Sequence, residues 1–194
     1  MKKNIDKLIE IATLSGATDA STISPARIIV DEEFSRFCRE PRCENFGLSP
    51  SCPPHVKGPE TFRIWRESAE ATIVVRLVVP MASLFSDERR EVMALLHEIV
   101  AGVEIAAMDM GYVQSKAFAG GSCKNIFCSD MNGCRVLSGG VCRNPQLARP
   151  SMSGFGINVA QLMDDCGWPS DINVKEKNYD GESMSWVAGL ILIG

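Results

Sequence analysis

Four cysteines lie close together in the segment GSCKNIFCSDMNGCRVLSGGVCRNP, which covers residues 121–145. They are Cys123, Cys128, Cys134 and Cys142, and the residues between them are rich in Gly, Asn, Ser and Asp. Four thiolates are the ligand set of a tetrahedral zinc ion and of a [4Fe–4S] cube. The spacing C-x4-C-x5-C-x7-C lacks the tight cysteine pairs typical of structural zinc sites. It therefore favours the larger cube and leaves zinc as the alternative.

A second group of three cysteines, Cys38, Cys43 and Cys52, lies in the segment FCREPRCENFGLSPSCPPH. We expect these thiols to be metal ligands as well. Three ligands could hold a second cluster with one open iron, or with a fourth ligand from elsewhere in the chain. They could also complete a zinc site with His55, although a histidine in such a loop is more often structural or exposed to solvent.

Two residues that could do chemistry have simpler interpretations. Cys166 shares a helical stripe with Val159 and Met163, which predicts a buried and unreactive core thiol. His97 lies on the flank of a predicted long helix, between Arg90 and Glu104, and we expect it at the surface.

Basic residues are concentrated around both cysteine groups. Residues 123–149 contain Lys124, Arg135, Arg143 and Arg149 against one acidic residue, a net charge of +3, while the whole chain carries −4. The first cysteine segment is also net basic. Cationic surroundings lower thiol pKa values and offset the charge of a tetrathiolate centre. Arg143 and Arg149 are therefore candidate cofactor-binding residues, although each could simply solvate a loop.

The elements that position the second cysteine group form a strand–helix–strand unit. ATIVVRLVVP, residues 71–80, is a near-continuous β-branched run that predicts a buried strand. A long amphipathic helix follows from an N-cap at Ser86 to Gly111, and residues 112–118 predict a strand that leads into the cysteine loop. A crossover of this length would place the two strands parallel.

Further elements extend this unit. The pattern predicts an N-terminal amphipathic helix that ends near Gly16, a short strand over residues 27–30, and a helix between Gly156 and Gly167. The tail SMSWVAGLILIG predicts a final strand, and RPSMSGFGINV is interpreted as the segment that packs the cysteine loop onto the domain. The expected fold is α/β or α+β, a single layered domain with a small mixed sheet and a long crossover helix. Its cysteine-rich loops, about residues 34–58 and 120–150, are expected at one end.

The bulk composition limits the function classes. A chain of 194 residues suits one metal-binding domain over residues 1–194, and a net charge of −4 argues against a general nucleic-acid binder. The sequence shows no signal peptide and no run of apolar residues long enough to cross a bilayer, so we expect a cytoplasmic protein that does not associate with membranes. In a reducing compartment, eight cysteines favour metal binding or redox chemistry over disulfides.

The chain resembles a prokaryotic family of predicted metal-binding proteins, catalogued as domain of unknown function 2284. The resemblance covers most of the chain from residue 25 onward. It is carried by CPP in the first cysteine segment, by CRNPQLARPSM after the second, and by the following GINV. It implies metal binding, as iron–sulfur, by Cys123, Cys128, Cys134 and Cys142, and a role for Cys38, Cys43 and Cys52. It implies no particular reaction.

We therefore expect a cysteine-ligated protein that carries one or two [4Fe–4S] clusters for electron transfer or redox sensing. A protein redox partner of acidic character would dock on the arginines around the cluster. One alternative is a zinc-stabilised structural or interaction module. Another is an enzyme in which an open iron of the first group acts as a Lewis acid on a small substrate. No motif names a substrate, and the sequence leaves open whether the protein is an enzyme.

Overall fold

The structure is a computed structural model that describes residues 2–39, 43–171, 174–177 and 182–194. Short 3₁₀ turns over Pro25–Arg27, Arg36–Cys38 and Met152–Phe155 connect the main elements. The helices are α1 (Lys2–Leu14), α2 (Glu32–Ser35), α3 (Gly58–Ser68), α4 (Met81–Leu84), α5 (Glu88–Asp109), α6 (Cys123–Phe127) and α7 (Val159–Asp165). The strands are β1 (Asp19–Ile23), β2 (Ala71–Pro80), β3 (Lys116–Phe118), β4 (Val174–Lys177) and β5 (Ser183–Ile193).

The sheet is built around the C-terminal strand. Its order is β1-β2-β5-β3, and β4 also pairs with β5. β5 is antiparallel to both β2 and β3, so these two strands run in the same direction, as the crossover predicts. They are not neighbours, however, because β5 lies between them. The α+β alternative is therefore confirmed, and each strand pair is antiparallel where a mixed sheet was expected.

Both faces of the sheet are covered, which explains the apolar runs in β2 and β5. Successive side chains of a strand point to opposite faces. Ile191 and Ile193 pack with α1 and α5 on one face, and Leu190 and Leu192 pack with α3 and α7 on the other. A strand buried on both faces reads as a continuous hydrophobic run instead of an alternating one.

An aromatic cluster on the second face joins the two ends of the second cysteine loop. Phe118, the last residue of β3, lies edge-on to Phe155, with 5.1 Å between ring centroids. Phe62 of α3 lies 5.1 Å from Phe118, and Trp65 lies 5.7 Å from Phe155. Such pairs contribute about 0.5–1.5 kcal/mol beyond their buried area. The loop between residues 118 and 155 thus begins and ends in one packed core.

Several predicted elements agree with the structure, and one predicted strand does not. α1, β2 and β5 lie where the patterns place them, and α7 lies within its predicted range. The predicted strand over residues 27–30 is wrong: there the chain leaves a 3₁₀ turn, and Val30 forms only an isolated bridge with Ile157.

The strand β1 was not predicted, because its sequence DASTI is mostly polar and has no apolar run that would identify a strand. β3 is shorter than expected. The predicted N-cap at Ser86 is wrong by one residue, because Asp87 is the N-cap of α5. The Ser86 hydroxyl instead accepts a hydrogen bond from the Glu88 N–H at 3.3 Å. Among the described residues, no helix has the length and apolarity needed to cross a membrane. The extent of the domain over residues 1–194 stays a prediction.

Gly189 is the point at which β5 tolerates no side chain. A Cβ there would lie 2.5 Å from Val100 Cγ1 of α5 and 3.1 Å from the Phe118 carbonyl oxygen. We predict that Gly189→Ala lowers the free energy of unfolding by about 2 kcal/mol or more, because α5 must move off the sheet. Chemical denaturation measures the change. Gly102→Ala, in α5 where a Cβ meets nothing within 4 Å, is the control, and it should stabilise by about 0.5–1 kcal/mol. Equal effects of the two substitutions would contradict this packing.

Candidate metal centre

The structure gathers the second cysteine group around one cavity. Cys123, Cys128, Cys134 and Cys142 all line a cavity of about 280 Å³. No group of three or more His, Cys, Asp or Glu side chains that could hold one metal ion is found in the described part of the chain. The four thiols thus surround a space instead of meeting at one point. Their role as ligands remains a prediction.

Local folding fixes the thiols at the ends of this loop. Cys123 is the first residue of α6, is 8% exposed, and lies 3.1 Å from the Ser51 hydroxyl. The backbone N–H of Asn144 donates to Cys142 Sγ at 3.3 Å, and its side-chain amide donates to Cys128 Sγ at 3.5 Å. One asparagine therefore contacts two of the four sulfurs. Donors of this kind orient ligand sulfurs and stabilise their negative charge.

The first cysteine group lies against the second. Cys52 is buried, and the Cys123 thiol that contacts Ser51 is close enough to Cys52 for their charges to interact. Cys38 in turn interacts electrostatically with Cys43 and Cys52. The three predicted thiols of this group therefore share one neighbourhood, and Cys123 connects that neighbourhood with the cavity.

Burial opposes ionisation of these thiols. It raises the pKa of Cys123, an effect that the Ser51 and Ser49 hydroxyls oppose and that nearby Cys52 and Cys134 reinforce. Burial likewise raises the pKa of Cys38 to about 11, with further upward contributions from Cys43 and Cys52. Thiols with such pKa values are protonated at neutral pH. A bound metal centre would supply the positive charge that makes them thiolates.

The remaining sequence candidates lie outside the cavity. His55 is exposed, and its Nε2 atom lies 3.3 Å from the Gly47 carbonyl oxygen. Cys166 packs against the core of the second sheet face, as expected of a core thiol, but it is only half-buried. Burial, with a smaller contribution from Asp165, raises the pKa of Cys166 to about 11, so it is an unreactive thiol.

The segment after the second cysteine loop holds the two loops together, as its interpretation predicted. The Ala119 N–H donates to the Pro150 carbonyl at 3.0 Å, and the Met152 N–H donates to the Ala119 carbonyl at 3.0 Å. Between these bonds, the Ser151 N–H donates to the Ser51 carbonyl at 3.1 Å. The base of the second loop is thereby closed and attached to the first.

His97 is buried, contrary to the expectation of a surface residue. It is 0% exposed, and its Nε2 atom lies 3.1 Å from the Gly120 carbonyl oxygen. The backbone N–H of Arg149 donates to Nδ1 at 3.1 Å, so the ring proton is on Nε2 and is donated to Gly120. One imidazole therefore binds both ends of the second cysteine loop. The error has a simple origin: the buried face of α5 includes Met93, His97 and Val100, so this histidine points into the core and not along the flank of the helix.

The two candidate arginines have different surroundings. Arg143 lines the cavity together with Lys124 and Arg135. Arg149 is buried, and its guanidinium donates to Glu104 Oε2 at 2.6 Å and to the carbonyls of Pro145 and Ala148. It closes the end of the loop, and it is not among the residues that line the cavity. The Glu104–Arg149 pair is a second structural feature that the sequence analysis did not identify.

A family model for predicted metal-binding proteins, DUF2284, matches residues 21–193. The chain belongs to this family. The match includes both cysteine loops, the segment that closes them, the last three residues of β1 and the strands β2, β3, β4 and β5. No curated protein and no solved structure is similar enough to this DUF2284 protein to count as a match. Metal binding is thus the family's description, and neither the metal nor the reaction comes with it.

The buried neutral imidazole makes stability depend on pH. Burial lowers the pKa of His97 below its usual 6.5, and the charge of Arg149 adds to this effect. In the unfolded chain the imidazole binds a proton near pH 6.5, whereas in the folded protein it binds a proton only at lower pH. Stability from this residue is therefore complete above about pH 6.5 and is lost progressively as the pH falls toward the folded value.

We predict that His97→Gln lowers the free energy of unfolding by about 1–3 kcal/mol at pH 7.5, because it leaves the Gly120 carbonyl or the Arg149 N–H unpaired. The variant should also lose less stability than the wild type between pH 7 and pH 5. Urea titrations at several pH values measure both effects. The chain's other histidine provides the control: His55 is exposed, and His55→Gln should change the free energy of unfolding at pH 7.5 much less than His97→Gln does. If the free energy of unfolding of His97→Gln falls as steeply between pH 7 and pH 5 as that of the wild type, the assignment is contradicted.

Proposed function

We propose that the four thiols of the second cysteine loop hold a [4Fe–4S] cluster that transfers electrons or senses redox state. The observation that carries this proposal is their arrangement around a cavity of about 280 Å³. A single water molecule needs only about 10–15 Å³, so the space suits a polynuclear centre. Zinc, with bonds to sulfur of about 2.3 Å, would require the four sulfurs within roughly 3.8 Å of one another.

The charges and donors around the cavity support the same centre. A cluster held by four thiolates is an anion, and the cationic side chains of Lys124, Arg135 and Arg143 line its cavity. Asn144 donates hydrogen bonds to the sulfurs of Cys142 and Cys128, and the Cys123 thiol donates to the Ser51 hydroxyl. Net charge and hydrogen bonds to sulfur are two of the factors that set the potential of an iron–sulfur centre.

The surface around the cavity suits an acidic redox protein. Next to the last cysteine, Val141 is 75% exposed, and Leu137 is also exposed. These apolar side chains lie in the same loop as Arg135 and Arg143. An apolar contact surrounded by positive charge favours a partner with a negative patch and speeds its association.

The first cysteine group is proposed to hold a second cluster. Its three described thiols provide one ligand fewer than a tetrathiolate site, so one iron would take its fourth ligand from elsewhere. The Cys123–Ser51 contact supports this proposal, because it joins this group to the cavity of the four thiols. Two adjacent centres would pass electrons to each other through this contact. In that arrangement the centre of the second loop would exchange electrons with the partner protein, and the centre of the first loop would exchange electrons only with the second loop's centre.

Metal content and colour test the proposal. Protein purified without oxygen should be brown, bleach with dithionite, and contain at least about four iron and four sulfide ions per chain. Cys134→Ser and Cys142→Ser should each remove the iron of the second loop, while Cys166→Ser, which changes a cysteine outside both groups, should retain it. Iron and sulfide assays measure the content. Colourless protein with stoichiometric zinc would overturn the proposal in favour of a zinc-stabilised module.

Ser51 should tune the cluster. Its hydroxyl lies 3.1 Å from Cys123 Sγ and would donate to that sulfur once it is a thiolate. We predict that Ser51→Ala lowers the reduction potential by on the order of tens of millivolts, because the lost hydrogen bond stabilised the more negative reduced state. Spectroscopic redox titration measures the shift. Ser138→Ala, which removes a hydroxyl bonded to a backbone carbonyl of the same loop, should not change the potential. A shift of equal size in both variants would refute the role of Ser51.

A further inference from the structure

A second and larger cavity lies beside the two cysteine loops. Its volume is about 710 Å³, and it is formed by the start of α5, by residues 44–45 of the first loop and by residues 121–126. It shares no lining residue with the cavity of the four thiols. Small-molecule sites usually have volumes of about 300–1,000 Å³. The cavity is thus a cleft of suitable size, adjacent in sequence to Cys43 and Cys123.

Two buried polar atoms belong to residues that line this cleft. Ser122 is 4% exposed, and its hydroxyl has no hydrogen-bond partner among the described residues. Asn45 Oδ1 is also buried without a partner there. Leaving such groups unpaired costs about 1–3 kcal/mol each, and native proteins rarely accept this without a reason. Both side chains belong to the wall of the cleft, and a polar ligand there would bond to them once they turn toward it.

Charged side chains of both signs surround the same cleft. Arg89 and Arg90 bring guanidinium groups, and Glu44, Asp87 and Glu91 bring carboxylates. None of these five forms an ion pair within the part of the chain that the structure describes. Arg90 is oriented by the bond from its Nε to the Ile126 carbonyl at 2.9 Å. All five side chains are exposed, and a cleft lined by charges of both signs is complementary to a ligand that carries both.

We propose that this cleft binds a small zwitterion of the amino-acid class, including short peptides. The guanidinium groups would bind its carboxylate, the carboxylates would bind its ammonium group, and Ser122 and Asn45 would complete the polar contacts. Arginine is well suited to the first task because its planar donors match a carboxylate in pairs. The proposal stands on the cleft alone and does not depend on the identity of the metal centre.

Calorimetric titration of the full chain tests the proposal. The probes are the free α-amino acids and a set of dipeptides, each compared with its N-acetylated and carboxamide forms. At least one zwitterion should bind with one molecule per chain. Each of its two blocked forms should bind at least about tenfold more weakly, because each has lost one charged contact. Failure of all probes to bind, or equal binding of blocked and free forms, would overturn the proposal.

Two serine variants separate a ligand contact from a structural effect. Ser122→Ala should leave the thermal midpoint of the free protein unchanged or raise it, because an unpaired buried hydroxyl is removed. The same substitution should lower the affinity for the zwitterion about tenfold. Ser185→Ala is the matched control: its hydroxyl is also buried and lacks a partner among the described residues, but it lies in β5, outside the cleft. It should leave binding unchanged. Equal binding losses in both variants would overturn the assignment of Ser122.

Discussion

The architecture of the cysteine region depends on the closure of one long loop at its base. The Ala119 N–H donates to the Pro150 carbonyl, and the Ala119 carbonyl accepts from the Met152 N–H. The imidazole of His97 binds the residues just inside this closure, Gly120 and Arg149. Closing a loop of this length has an entropic cost, and a loop of small polar residues has little apolar surface to offset it. The closing contacts come instead from the core, because α5 provides His97 and the aromatic cluster packs the flanking chain.

Closure also explains why buried polar groups can persist beside the core. His97, Glu104 and Arg149 are each partnered by at least one of the others or by a loop carbonyl. Removing one member of such a network leaves the others unpaired in a region of low dielectric, which costs more than the lost bond itself. The network therefore holds the loop in one position. The thiols then face a defined cavity, and burial raises the pKa of one of them, Cys123.

The sequence predicted the elements whose pattern is strong and failed where tertiary contacts decide. The runs in β2 and β5 and the stripe of α1 identify their elements directly, because apolar periodicity is a local property. The insertion of β5 between β2 and β3 is not local, so the antiparallel pairing could not be derived from the crossover. For the site, the spacing of the cysteines and the charge of the loop were sufficient to group the thiols. The burial of His97 depends on a rotation of α5 that a stripe of many apolar residues leaves ambiguous.

The proposed function depends on one claim, that the four thiols of the second loop bind one polynuclear iron centre. X-ray absorption at the iron edge of protein purified without oxygen tests it most directly. We predict a shell of sulfur neighbours together with a second shell of iron neighbours, and a lower iron content per chain in Cys142→Ser. A single sulfur shell at about 2.3 Å at the zinc edge, with no iron in the protein, would contradict it.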